Sequence, residues 1–252
     1  MAFDALTRGG AGTLTIPGRY FYGVAATLVA VITFIGFHPF YLAGEGMAGR
    51  RIAAEMFPLV LVHGALLTLW VILFLVQSLL ISARQRRLHM KLGWGAVAVA
   101  LGVTITGIMV VVRSVRAVPE IPFWGMAYRQ FLLVMLAEVA LFTFFVLAGV
   151  SFRKRPEIHR AMMLLASLSI LAGATVRMPI LFPIFGVTGW MGIFGPIFTL
   201  GAAFLFARSL LMNALDRWFA AGYATMVVVY VAASQLALSD AWSHLARALF
   251  NV

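Results

Sequence analysis

Three histidines and one glutamate lie inside or beside long apolar runs of the sequence, where polar side chains are costly. His63 and Glu138 each lie within an apolar run, whereas His89 and His159 each follow a basic loop. Polar residues in membrane-spanning segments almost always face the protein interior and mark functional sites. These residue types predict a proton-active, quinone-binding or metal-binding pocket at the first pair. At the second pair they predict axial ligation of a b-type haem.

The sequence around these residues is repeated. The segment from His63 to the loop Arg84-Gln-Arg-Arg-Leu-His89 matches the segment from Glu138 to the loop Arg153-Lys-Arg-Pro-Glu-Ile-His159. Four pairs of helical positions are identical, namely Ala65 and Ala140, Leu66 and Leu141, Thr68 and Thr143, and Val71 and Val146. The match sets His63 opposite Glu138 and His89 opposite His159. It therefore predicts a duplicated four-helix core with polar positions at two depths.

Composition identifies the class of protein. Hydrophobic residues make up 63% and charged residues 11% of the 252 residues, and the mean hydropathy is +1.02; soluble globular proteins are far more polar. A membrane-spanning helix needs about 20 apolar residues. We predict an all-α integral membrane protein with seven spans, at 19–37, 57–82, 93–112, 129–152, 161–181, 187–211 and 218–238.

We expect the chain to form one polytopic domain over residues 1–252. This domain would comprise a tail at 1–18, the duplicated four-helix core at 57–181 (spans 2–3 and 4–5), and two further spans within 187–238. Four glycines in the third span would allow close helix packing and suggest an interior helix, namely Gly93, Gly95, Gly102 and Gly107.

The basic residues predict orientation and partners. They concentrate in the loops before the third and fifth spans, which places those loops and the amino terminus in the cytoplasm of a bacterium, with the protein in the inner membrane. The net charge of +11 indicates attraction to anionic lipid headgroups, and nucleic acid is a poor alternative. Subunits of a membrane complex or further copies of the chain are candidate partners. The chain contains no cysteine, which excludes disulfides and thiolate metal sites.

His63 and Glu138 both lie roughly 9 to 13 Å from the outer ends of their spans, and an ionised Glu138 at that depth needs an electrostatic partner. Arg177, near the outer end of the fifth span, is the natural choice, and Arg113 occupies the matching place in the first copy. A stripe on the second span, formed by His63, Leu67, Trp70, Phe74 and Gln77, would face the same interior. The alternative interpretation is a buried polar cluster that only fixes helix packing.

The motif Leu88-His89-Met-Lys-Leu-Gly-Trp94 resembles one found in an uncharacterised family of bacterial multipass proteins. The resemblance extends loosely from His63 to Arg177. The arrangement also resembles the transmembrane ascorbate-type b cytochromes, whose four-helix core pairs histidines. That resemblance implies one haem between His89 and His159 and a second between His63 and position 138, where this chain has glutamate instead of histidine.

These observations predict a redox-associated protein. His89 and His159 are the candidate metal and haem ligands, and His63, Glu138, Arg177 and Arg113 are the candidate residues of a quinone or proton-transfer pocket. Two alternatives remain open at this point: a non-catalytic accessory or assembly subunit of a larger membrane complex, and a proton-coupled carrier that uses Glu138.

Overall fold

The protein is a bundle of helices with two very short hairpins. The computed structural model describes residues 16–47 and 50–251, so residues 1–15 of the predicted tail lie outside it. The elements are α1 (Ile16–Gly36), α2 (His38–Ala43), β1 (Glu45–Met47), β2 (Arg50–Arg51), α3 (Phe57–Ser82), α4 (Arg86–Ala117), β3 (Pro122–Phe123), β4 (Met126–Ala127), α5 (Tyr128–Ser151), α6 (Pro156–Ser169), α7 (Ala172–Thr175), a 3-10 turn (Pro179–Leu181), α8 (Phe182–Phe185), α9 (Gly189–Met212), α10 (Arg217–Leu236) and α11 (Asp240–Phe250).

Six helical segments in the described part of the chain are long and apolar enough to cross a membrane. They are α3, α4, α5, α6 together with α7, α9 and α10. The predicted first span coincides with α1, of which the stretch Tyr20–Gly36 is apolar but shorter. The prediction of an all-α membrane protein is thus confirmed for six spans.

Successive long helices run in opposite directions and pack as neighbours along the chain. α3 packs on α4, α4 on α5 and α5 on α6, while α1 lies against α3 and α10 lies against both α5 and α6. We call the end that carries the two β-hairpins the hairpin end. The opposite end carries the short connections 83–85 and 152–155, and we call it the basic end.

The centre of the bundle is α6, with α1, α3, α5, α9 and α10 around it. Most of its side chains are buried, including Leu164, Leu165 and Leu168, which are fully enclosed. The expectation that the third span is the interior helix was wrong, because α4 lies at the edge. Close packing is confirmed at Gly102 and Gly107, where an added Cβ would crowd Leu66 and Val139. A Cβ added at Gly93 or Gly95 would meet nothing within 4 Å. Glycine spacing alone does not distinguish a neighbouring helix from lipid.

Helix boundaries follow from capping residues. Asp216 begins α10 by accepting a hydrogen bond from the N–H of Phe219 at 3.1 Å, and Ser239 begins α11 by accepting one from Trp242 at 3.2 Å. Asn213 ends α9 in the left-handed conformation with φ of 52°. These caps satisfy backbone groups that a helix end leaves free.

Two antiparallel hairpins close one end of the bundle. β1 pairs with β2 and β3 pairs with β4, with Phe123 opposite Met126 in the second hairpin. Trp124 and Gly125 connect β3 to β4 with φ of 53° and 84°. Positive φ at both central residues is the type I′ turn that suits tight hairpins.

The predicted fifth span, 161–181, is interrupted. α6 ends at Ser169, two residues form a turn, and α7 continues only to Thr175. Beyond α7, the rest of the predicted span forms a 3-10 turn that begins at Pro179, a residue that cannot donate a backbone hydrogen bond. The fifth crossing is therefore a broken helix that starts earlier and ends earlier than predicted.

Candidate functional site

A cavity of about 270 Å³ lies inside the hairpin end of the bundle. Its polar lining consists of His63 from α3, Tyr128 and Glu138 from α5, and Arg177 from the turn that follows α7. Aromatic side chains such as Phe37 form much of the remaining wall. A mostly apolar cavity with a few convergent polar groups is typical of ligand sites, although drug-sized ligands need about 300–1,000 Å³. This cavity has room for a single-ring head group.

His63 has a defined hydrogen-bond partner in α4. Its Nδ1 lies 2.9 Å from Oγ1 of Thr106, and the Thr106 hydroxyl donates its single proton to the carbonyl of Gly102 at 2.7 Å. Since that proton is used, the Nδ1–H of His63 is the donor to Thr106. The other ring nitrogen, Nε2, then carries a lone pair and acts as an acceptor.

Glu138 and Tyr230 meet the broken helix from two directions. In an uninterrupted α-helix the N–H of Gly173 would bond to the carbonyl of Ser169. Here the hydroxyl of Tyr230 donates to the Ser169 carbonyl at 2.6 Å, and the backbone N–H of Gly173 faces the Glu138 carboxyl group. Irregular backbone within a membrane is tolerated where protein groups satisfy it, as these two side chains do.

Arg177 anchors the hairpin and the broken helix. Its Nε donates to the carbonyl of Gly46 in β1 at 2.8 Å, and its Nη1 donates to the carbonyl of Gly173. Its guanidinium carbon lies 4.7 Å from the centre of the Phe37 ring. Arg177 is an electrostatic neighbour of Glu138.

The predicted pair between Glu138 and Arg177 is not a direct ion pair. In the described residues, the salt bridges join Arg129 to Glu120 and Arg208 to Asp216. Arg177 instead donates hydrogen bonds to backbone carbonyls of the hairpin and of the interrupted helix. Arg113 is exposed on α4 and does not line the cavity.

His89 and His159 face each other at the basic end. Their ring centres are 6.2 Å apart and their planes are inclined by 84°. Nδ1 of His159 donates to the carbonyl of Gly149 at 2.8 Å, because a carbonyl can only accept. Nε2 of His159 therefore keeps its lone pair, in the arrangement that orients metal-binding histidines.

Several polar atoms near this histidine pair are buried without a hydrogen-bond partner. They are Nδ1 of His89 and both amide atoms of Gln77. The His89 ring has a hydrogen bond with the backbone of Gln77, so the three atoms belong to two neighbouring residues. Each unsatisfied buried group costs about 1–3 kcal/mol, which makes these residues a candidate ligand position. Along α3, Gln77 is about 21 Å from His63, so the histidine pair and the hairpin-end cavity are separate sites.

Two imidazoles here form a limited donor set. Within residues 16–47 and 50–251, no group of three or more His, Cys, Asp or Glu side chains could hold a metal ion. A bare ion needs more ligands than two, whereas haem supplies its own equatorial nitrogens and takes two axial ligands from the protein. The donor set therefore fits haem iron better than a bare metal ion.

An open groove of about 520 Å³ lies between α4 and α5. Its lining is apolar apart from Thr104 and Thr143, whose hydroxyl oxygens are 3.0 Å apart. It contains no titratable side chain. Such a surface suits the chain of a neighbouring lipid.

Sequence reasoning missed Thr106, Tyr128 and Tyr230. Thr106 could have been found, because it lies on the middle of an apolar helix where a hydroxyl must find a partner. Tyr230 could not, since its partner is a backbone carbonyl exposed only by the helix break.

The fold and its apolar helices define a multipass α-helical membrane protein. Comparison with known proteins found no matching family model, no significantly similar curated protein and no significantly similar solved structure.

Proposed function

We propose that this is a redox-associated protein of the bacterial inner membrane, with a b-type haem bound by His89 and His159. The observation that carries the proposal is the facing pair of imidazoles, 6.2 Å apart, beside buried polar atoms without partners. His89 from α4 and His159 from α6 would hold the haem iron, each through one ring nitrogen.

The surroundings of the pair support this assignment. His159 is held by its bond to the Gly149 carbonyl, which fixes the ring for ligation. Arg153, whose guanidinium lies 6.0 Å from the Trp94 ring, belongs to the basic loops that can pair with propionates. When bound, haem supplies one-electron transfer at this end.

The hairpin-end cavity is the proposed quinone site. Its polar groups converge on a space of about 270 Å³, and Glu138 and His63 can each exchange a proton with a ligand. The basic connections then face the cytoplasm and the cavity faces the outer side of the membrane.

An absorption spectrum of the detergent-purified protein, together with iron analysis, tests the haem assignment. The expected result is a Soret band and about one iron per chain, since one axial pair holds one haem. If the protein is expressed in cells grown with ample iron and shows no Soret band and no iron, the haem assignment is contradicted. If such a protein also carries stoichiometric partner subunits, the accessory-subunit alternative is favoured.

A further inference from the structure

We infer that the hairpin-end cavity binds a hydroquinone in preference to the corresponding quinone, because His63 presents a hydrogen-bond acceptor to it. This inference rests on the proposed quinone binding in that cavity. It adds which redox form is held and which residue pair selects it.

The selecting pair is His63 and Thr106. The Thr106 hydroxyl gives its proton to the carbonyl of Gly102 at 2.7 Å, with the Val103 carbonyl also near at 3.4 Å. Thr106 can therefore only accept from the His63 ring, 2.9 Å away. The neutral ring is held in the form that keeps its proton on Nδ1 and a lone pair on Nε2.

Arg177, the cationic residue of the cavity, does not reverse the preference for hydroquinone. Arg177 donates from Nε and Nη1 to the carbonyls of Gly46 and Gly173. Its remaining N–H groups can donate to the oxygen of a quinone or of a hydroquinone, since both oxygens accept, so Arg177 does not distinguish the two forms. Glu138, when ionised, also only accepts. The Tyr128 hydroxyl can both donate and accept, so it does not distinguish the two redox forms.

The two forms of the ligand differ in the sign of their hydrogen bonding. A quinone oxygen is a carbonyl acceptor, and against His63 Nε2 it would set two lone pairs together. A hydroquinone hydroxyl donates to the same nitrogen. One neutral hydrogen bond corresponds to about a tenfold difference in dissociation constant. Tenfold tighter binding of the two-electron reduced form raises the potential of the bound couple by about 30 mV.

Equilibrium binding of duroquinone and duroquinol to the full-length protein in detergent, without oxygen, tests the inference. Duroquinol is expected to bind about tenfold more tightly. Equal affinities, or tighter binding of duroquinone, overturn the inference and leave quinone binding intact. If neither form binds, the proposed quinone site is wrong and the inference falls with it.

The variant Thr106→Val isolates the cause. Valine cannot accept from Nδ1–H, so the His63 ring is free to carry its proton on Nε2 and donate to a carbonyl. The tenfold preference should then disappear or reverse, whereas Thr106→Ser, which keeps the hydroxyl, should retain it. Persistence of the preference in Thr106→Val contradicts the inference. Should Thr106→Val not fold, His63→Leu removes the acceptor and should abolish the same preference.

Discussion

Gly36 at the end of α1 packs directly on the backbone of Ala174 in α7. A methyl group placed on Gly36 would overlap the carbonyl group of Ala174, and a backbone atom cannot move aside as a side chain does. We expect Gly36→Ala to destabilise the protein by about 2 kcal/mol. Thermal unfolding in detergent measures the change.

Gly93→Ala is the matched control for that substitution. A Cβ at Gly93 meets nothing within 4 Å, and alanine is the better helix former, so stability should stay constant or rise by up to about 1 kcal/mol. Equal effects of the two substitutions would show that α1 does not cross α7 at Gly36.

Removal of either imidazole at the basic end should abolish haem binding. His89→Ala and His159→Ala each leave one axial ligand, and we expect the Soret band of the purified protein to be lost or strongly reduced. His63→Ala, which changes a residue at the hairpin end, should retain the Soret band. A bound haem that survives both basic-end substitutions would assign the ligands elsewhere.

The hydroxyl of Tyr230 should contribute to stability. It is fully buried and bonds to the Ser169 carbonyl at the end of α6, so Tyr230→Phe leaves that carbonyl without this partner. The expected cost is about 1–2 kcal/mol, measured by thermal unfolding.

Tyr223→Phe provides the comparison for Tyr230→Phe. The Tyr223 hydroxyl bonds to the carbonyl of Phe198 at 2.7 Å, which lies inside α9 and already has a place in the helical hydrogen-bond ladder. Its loss should cost less than about 1 kcal/mol. A larger effect at Tyr223 would contradict the role given to the helix break.

Of the two ion pairs in the described residues, the one between Arg208 and Asp216 should contribute more to stability than the one between Arg129 and Glu120. Both side chains are buried, with 2% and 6% exposure, and Asp216 also caps α10. Asp216→Ala strands a buried cation and should cost about 3–5 kcal/mol in unfolding measurements. Glu120→Ala, which removes the exposed partner of Arg129, should cost less than about 1 kcal/mol.

Sequence periodicity predicted the helices and the interior stripe of the second span. Trp70 and Phe74 from that stripe are buried, and Trp70 packs edge-on against Phe142 of α5 with ring centres 5.0 Å apart. Helical spacing determines which residues share a face, so this part of the packing follows from local sequence.

The remaining features depend on tertiary partners that periodicity does not report. The proline of α6, Pro156, is its first residue, so no proline of this helix lies beside the break after Ser169. Tyr230, 61 residues later, satisfies the carbonyl that the break frees. Arg177 binds backbone carbonyls of Gly46 and Gly173 instead of Glu138. The sequence indicated that Arg177 needed a partner and could not indicate that backbone groups would provide it.

The helix break after Ser169 links two side chains that do not contact the same atom. Closing it would join the N–H of Gly173 to the carbonyl of Ser169 and would release Glu138 and Tyr230 together. A ligand that takes the acceptor position used by the Gly173 N–H on the Glu138 carboxyl group competes with it and so shifts the balance between the broken and the continuous helix. By thermodynamic reciprocity, the state of α6 and α7 then sets the affinity of Glu138 for that ligand.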